Sequence, residues 1–163
     1  MLKDEIVDAS IQSLRREGLR FSVDLLAERL KISKKTIYKY FPNKEALAYA
    51  IYERYYAGLN DEVQARLRRG GPETAEALLL CYFDSAKMVR REIFNKYALN
   101  HVIGEFALQR HAALWETVRP HLCGGMTGSE AGIYKLIIDG AFDRTIACDA
   151  DAAAVIGLLR RIP

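Results

Sequence analysis

Residues 29 to 44 carry Arg29, Lys31, Lys34, Lys35, Lys39 and Lys44 and no acid. Inside that stretch, SKKTIYKYFPNK sets Tyr38, Tyr40 and Phe41 among the lysines. Ammonium groups donate strongly to phosphate oxygens and to guanine O6 and N7, and a tyrosine hydroxyl is a rigid donor on an apolar body. A solvated surface helix usually alternates its signs. Sixteen residues without an acid point instead to a face that meets a polyanion. The remainder of the chain has no such bias. Residues 1–47 hold ten Lys and Arg against seven Asp and Glu, and residues 48–163 hold fourteen of each, so the whole net charge of +3 is N-terminal.

The other reactive residue types do not assemble into a catalytic pattern. His101, His111 and His121 recur every ten residues, which scatters them around a helix instead of making a metal triad. Cys81, Cys123 and Cys148 lie far apart in apolar surroundings, as reduced structural thiols do. There is no phosphate-binding glycine loop and no nucleophile beside a base, so neither an enzyme nor a metal or cofactor site is expected. No run of about twenty apolar residues exists to span a membrane. The charged start MLKDEIVDAS lacks the apolar centre of a signal peptide, which leaves the cytoplasm as the expected location. With 163 residues and 50% hydrophobic content, the chain can bury one good core, or a small domain joined to a larger one.

The elements that position the basic run are helical. Ile6, Ala9, Ser10, Ser13 and Leu14 fall at helical spacing, with Gly18 as the C-cap. Ser22 suits the N-cap of VDLLAERL, and Asp24 sits in its first turn, where a negative charge favours the helix dipole. That helix must stop near Lys31, because Ser33 is the next N-cap and opens KKTIYKY, which ends before Pro42. Asn43 then caps a long helix, KEALAYAIYERYYAGLNDEVQARLRR. Two short helices joined by a tight turn form a helix-turn-helix. Ala27 must be small where they cross, Ile32 and Ile37 bury the inner face, and Phe41 locks the third helix in place.

The remainder also reads as helix. Gly70–Gly71–Pro72 breaks the chain ahead of ETAEALLLCYFDSAKMVRR. EIFNKYALNHVIGEFALQRHAALWETVRPHL follows as one or two more helices, with Gly104 as the candidate interruption and Pro120 as the end. Thr127 and Glu130 make a capping box for EAGIYKLIIDGAFDRTIA, and Asp149 or Asp151 caps AAAVIGLLRRI.

These residues carry a resemblance. IVDASIQSLRREG and SVDLLAERLKISKKTIYKYFPNKEAL, with the long helix after them, resemble the N-terminal domain of the TetR family of bacterial transcriptional regulators over roughly the first fifty residues. The matching features are Ala9–Ser10, Gly18, Ser22, Leu26–Ala27, Ser33 with Thr36, the YKYF run, and Lys44 with Leu47. Two features depart from the pattern. The loop between Gly18 and Ser22 is one residue short, and Lys31 stands where the family usually has glycine. A side chain at positive φ there costs roughly 1 kcal/mol.

The resemblance implies an all-α chain. An N-terminal three-helix helix-turn-helix DNA-binding domain (1–47) is joined to a helical effector-binding and dimerisation domain (48–163). It implies a homodimer that sets its third helices into successive major grooves of a palindromic double-stranded DNA operator and represses transcription until a small-molecule effector binds. Lys34 and Lys39 match base-reading positions of the family. Lys35, Thr36, Tyr38 and Tyr40 suit phosphates, as do Ser22 and Lys44. The effector region would draw on Tyr52 and Tyr56, on Tyr82 and Met88, and on Phe94, Tyr97, His101, Phe106, His111 and Trp115. Ile133, Ile137, Gly140, Phe142, Leu158 and Leu159 are the dimer-interface candidates. The alternative is a helical dimeric interaction protein without specific DNA readout, which leaves the acid-free basic run unaccounted for.

Overall fold

A computed structural model describes residues 1–17, 22–90 and 101–161, and among these there are eight helices and no strand. In chain order they are α1 Leu2–Glu17, α2 Val23–Arg29, α3 Lys34–Tyr40, α4 Lys44–Arg69, α5 Thr74–Met88, α6 His101–Leu122, α7 Gly128–Cys148 and α8 Ala152–Leu159. The expected cap Gly18 and the effector candidates Phe94 and Tyr97 lie outside the described residues, as does the side chain of His101. Among the described residues no helix is long and apolar enough to cross a membrane.

Two compact units result. One comprises Met1–Gly58 and the described part of Arg90–Ala107. The other comprises Leu59–Val89 and the described part of Leu108–Pro163. Two of the boundaries fall inside α4 and inside α6, and the third just after α5.

The first unit is organised by α1. Its Ile6, Val7 and Leu14 are buried with Leu26 and Ala27 of α2, Ile37 of α3, Phe41, and Leu47, Ala48 and Ile51 of α4. Each fully buried aliphatic side chain contributes about 1.5–3 kcal/mol. Small polar residues sit in this core because their hydroxyls are satisfied. Ser10 donates to the Ile6 carbonyl at 2.7 Å, and Ser13 accepts from Arg29 of α2. Ala27 is buried next to the turn, as its size requires. On the far side, Arg54 of α4 reaches back to Asp8 at 3.2 Å and Asp4 at 3.9 Å. Arg15 lies 5.3 Å from the Tyr55 ring centroid.

In the second unit, α5, α7 and α8 pack on one another. Leu78, Leu79, Tyr82 and Phe83 of α5 meet Ile138 and Phe142 of α7 and Ile156 and Leu159 of α8 in a buried layer. The start of α7 is fixed by the expected capping box. The Glu130 N–H donates to the Thr127 hydroxyl at 3.3 Å, and the Thr127 N–H donates to the Glu130 carboxylate at 2.7 Å. Those Thr127 bonds hold the Glu130 carboxyl below its ordinary range. Asp151 caps α8 by accepting from the Ala153 N–H at 3.0 Å.

Three local expectations are corrected. Pro120 does not end its helix: α6 continues to Leu122, and the Cys123 N–H still reaches the Arg119 carbonyl at 2.8 Å. In the last turn the missing proline N–H removes a single ladder bond, and the stop comes at Gly124–Gly125, with Gly125 at φ 88°. Gly104 does not interrupt α6, since one glycine inside a long helix is a modest cost. Cys81 and Cys123 are buried as expected, with burial pushing the Cys123 thiol up, but Cys148 is exposed on the last turn of α7.

Candidate nucleic-acid interface

The helix-turn-helix is assembled by caps. Ser22 is extended at φ −148°, and its hydroxyl accepts the Leu25 N–H at 3.2 Å, which starts α2. The helix closes in a Schellman turn: the Ile32 N–H donates to the Ala27 carbonyl and the Lys31 N–H to the Glu28 carbonyl, both at 3.0 Å. That motif requires a left-handed residue, and Lys31 adopts it with φ 54°. Ser33 then caps α3, accepting the Thr36 N–H at 3.1 Å. Asn43 caps α4 by accepting the Ala46 N–H at 2.7 Å.

The third helix is anchored by Ile37 and Phe41, both buried. Lys3 of α1 covers the Phe41 ring at 5.7 Å from its centroid. A period of 3.6 then turns Lys35 and Lys39 away from the core. With Ser33, Thr36 and Tyr38 they line a shallow groove on the outer surface of α3. Tyr40 is exposed at one flank, and Lys44 is exposed on the first turn of α4.

Two of the six cations in the basic run are engaged within the protein. Arg29 donates to Ser13 and joins α2 to α1. Lys34 forms an ion pair with Asp24 in the first turn of α2. The acid-free run is therefore not free of acid in space. Lys31, Lys35, Lys39 and Lys44 stand exposed. Of the two lysines assigned to bases, Lys39 lies on the outward groove and Lys34 is turned toward α2.

The effector candidates divide between the units. Tyr52 and Tyr56 are buried in the first, where burial and then the neighbouring Tyr56 push the Tyr52 phenol above its ordinary value. Phe106 is half-buried there, with its ring 5.3 Å from Tyr49. In the second, Tyr82, His111 and Trp115 come together and Met88 is buried. The Tyr82 ring stacks on His111 with centroids 4.6 Å apart and lies 5.2 Å from Trp115. The Tyr82 hydroxyl donates to Asp139 at 2.9 Å, and His111 Nδ1 lies 2.8 Å from the Ser85 hydroxyl. Lys135 pairs with Asp139 and stands 5.5 Å above the Trp115 ring. Burial pushes the His111 pKa down to about 4, with Lys135 acting in the same direction and Asp139 against it. Ser85, Lys135 and Asp139 were not expected in this cluster. The signal for the last two was an i,i+4 charge pair inside the otherwise apolar run YKLIID.

The dimer candidates also separate. Ile133, Ile137 and Leu158 are 59%, 41% and 64% exposed, and Gly140 is exposed with open space where a Cβ would stand. Phe142 and Leu159 instead lie in the core of the second unit. Leu136, not among the candidates, is the most exposed of this group at 73% and shares the helical stripe of Ile133 and Gly140.

This geometry defines a helix-turn-helix domain of the kind that binds duplex DNA. Residues 6–51 match the bacterial regulatory proteins of the tetR family. Over 53 residues the chain is 36% identical to an uncharacterized HTH-type transcriptional regulator of Mycobacterium tuberculosis (strain CDC 1551 / Oshkosh), a match that covers 32% of this chain and 23% of that protein. A protein of the same description from strain ATCC 25618 / H37Rv matches to the same extent. The matched segment thus spans under a quarter of the length of these relatives. Over this N-terminal segment the chain is similar to bacterial regulatory proteins of the tetR family.

Proposed function

We propose that the chain is a sequence-specific transcription regulator of the cytoplasm that binds a palindromic operator as a homodimer and represses until a small molecule releases it. The observation that carries this reading is the outward face of α3. Lys35, Thr36, Tyr38 and Lys39 converge on one groove while Ile37 and Phe41 anchor the opposite side. In a major groove, Lys39 and, in place of Lys34, Lys35 are the side chains best placed for guanine edges. Thr36, Tyr38 and Tyr40 suit flanking phosphates, together with Ser22 and Lys44.

Dimerisation is supported by the stripe of Ile133, Leu136, Ile137 and Leu158. Exposed aliphatic side chains grouped at helical spacing mark a contact surface, and the occupant that suits a palindrome is a second copy of this chain. Gly132 and Gly140 on the same helix would let that copy approach closely. A planar, largely apolar effector at the cluster of Tyr82, His111 and Trp115 would have to part rings that are packed on one another.

The test is gel-shift titration of wild type, Lys39→Gln and Lys35→Gln on upstream DNA and on mixed-sequence DNA. Loss of a base contact should lower affinity for the preferred site by about 1–3 kcal/mol and reduce discrimination. Equal loss on both DNAs would assign these lysines to phosphates, and no loss on either would remove α3 from the interface.

A further inference from the structure

Lys34 begins α3 on the side next to α2, and its ammonium is paired with the Asp24 carboxylate. The two side chains are 52% and 69% exposed, so the pair is exchangeable and contributes little to holding the helices together. Packing already sets their crossing, through Leu26, Ala27, Ile37 and the turn at Lys31. The interest of the pair lies in its chemistry. A carboxylate and a phosphodiester offer an ammonium the same charge-assisted acceptor.

We propose that Asp24 is an internal competitor that keeps Lys34 out of the phosphate-binding set and so lowers affinity for DNA of arbitrary sequence. The inference rests on the reading of α3 as the DNA-binding helix. To contact a phosphate, Lys34 must release Asp24, which then stands unpaired beside a polyanion. The exchange replaces one anion by another, so this lysine adds little to counterion release. Lys35 and Lys39 lie on the outward groove, away from the pair, and their base contacts are untouched by it. Affinity for mixed sequence falls while readout is retained, which makes Asp24 a specificity-determining residue.

Salt dependence of binding separates this from a merely structural role. Wild type, Asp24→Asn, Lys34→Gln and the double variant would be titrated on a mixed-sequence duplex and on a duplex enriched from a random pool. Releasing Lys34 adds one phosphate contact, so Asp24→Asn should steepen the log–log salt slope by about 0.9 per protomer. Between about 200 and about 50 mM salt its affinity advantage on mixed sequence should grow about 3.5-fold per protomer. The ratio of enriched to mixed-sequence affinity should fall. In the Lys34→Gln background the same substitution should change the slope little. Asp24→Ser gives a second neutral variant if asparagine disturbs the start of α2. An unchanged slope in Asp24→Asn, or an equal change with and without Lys34, overturns the role of Asp24 and leaves DNA binding standing. A wild-type slope near zero overturns both.

Discussion

Lys31 is the sharpest place to test whether the turn geometry is understood. Its φ of 54° puts a Cβ-bearing residue in the left-handed region, where an L side chain crowds its own following carbonyl. That conformation costs roughly 1–2 kcal/mol in the folded chain. Glycine removes the cost but gains freedom when unfolded, a loss of about 0.4–1 kcal/mol. Lys31→Gly should therefore stabilise by about 0.5–1 kcal/mol. Nothing in the packing opposes this, because the Lys31 side chain is exposed. The two turn bonds, from the Lys31 and Ile32 N–H groups at 3.0 Å, are backbone bonds that glycine keeps. Urea denaturation followed by far-ultraviolet circular dichroism would read the midpoint. Lys31→Ala is the control: it loses the same ammonium but retains the Cβ, so its midpoint should stay close to wild type. If glycine stabilises no more than alanine, the left-handed strain assigned to this turn is wrong.

Acid should weaken the second unit through His111. Its folded pKa of about 4 lies below the ordinary 6.5, so the unfolded chain takes the proton first as pH falls. The linkage predicts a loss of about 2 kcal/mol between about pH 7 and about pH 5, complete once pH passes below the folded value. Lys135 pairs with Asp139 beside this site, and His111→Gln, which does not titrate, should abolish that part of the pH dependence. Equal pH slopes in urea melts of the two proteins would discount the buried imidazole. For the dimer face, Leu136→Arg should halve the mass measured by sedimentation equilibrium without changing helicity, since Leu136 is 73% exposed in one copy. An unchanged mass would place the interface elsewhere.

Much of this architecture was legible because local rules dominated it. Ser22, Ser33, Asn43 and Thr127 with Glu130 cap the helices they were expected to cap, and of the two candidates Asp149 and Asp151 it is Asp151 that caps α8, because each acts on N–H groups of its own turn. The long helix Lys44–Arg69 has its expected bounds, set by Asn43 and by the glycines after Arg69. Lys31 announced its left-handed turn by standing where a glycine was expected. What escaped the sequence was tertiary. Asp24 meets Lys34 only because the turn folds α3 back on α2, and Arg29 leaves the basic face to reach Ser13 on α1. The Ser85–His111 contact likewise joins two helices separated along the chain. Apolar residues of α7 and α8 look alike in sequence, yet Phe142 and Leu159 face inward while Ile133, Leu136 and Leu158 face out. Pro120 shows the opposite limit, where a sound local rule carries little weight in the last turn of a helix.

Readout of duplex DNA sequence by the outward face of α3 is tested by selecting bound DNA from a random pool, with the protein at moderate salt. The expected result is enrichment of an inverted repeat whose half-sites lie in successive major grooves on one face of the duplex, and loss of base preference at one position per half-site in Lys39→Gln. A pool that remains random after repeated rounds, while the protein stays folded, would contradict it.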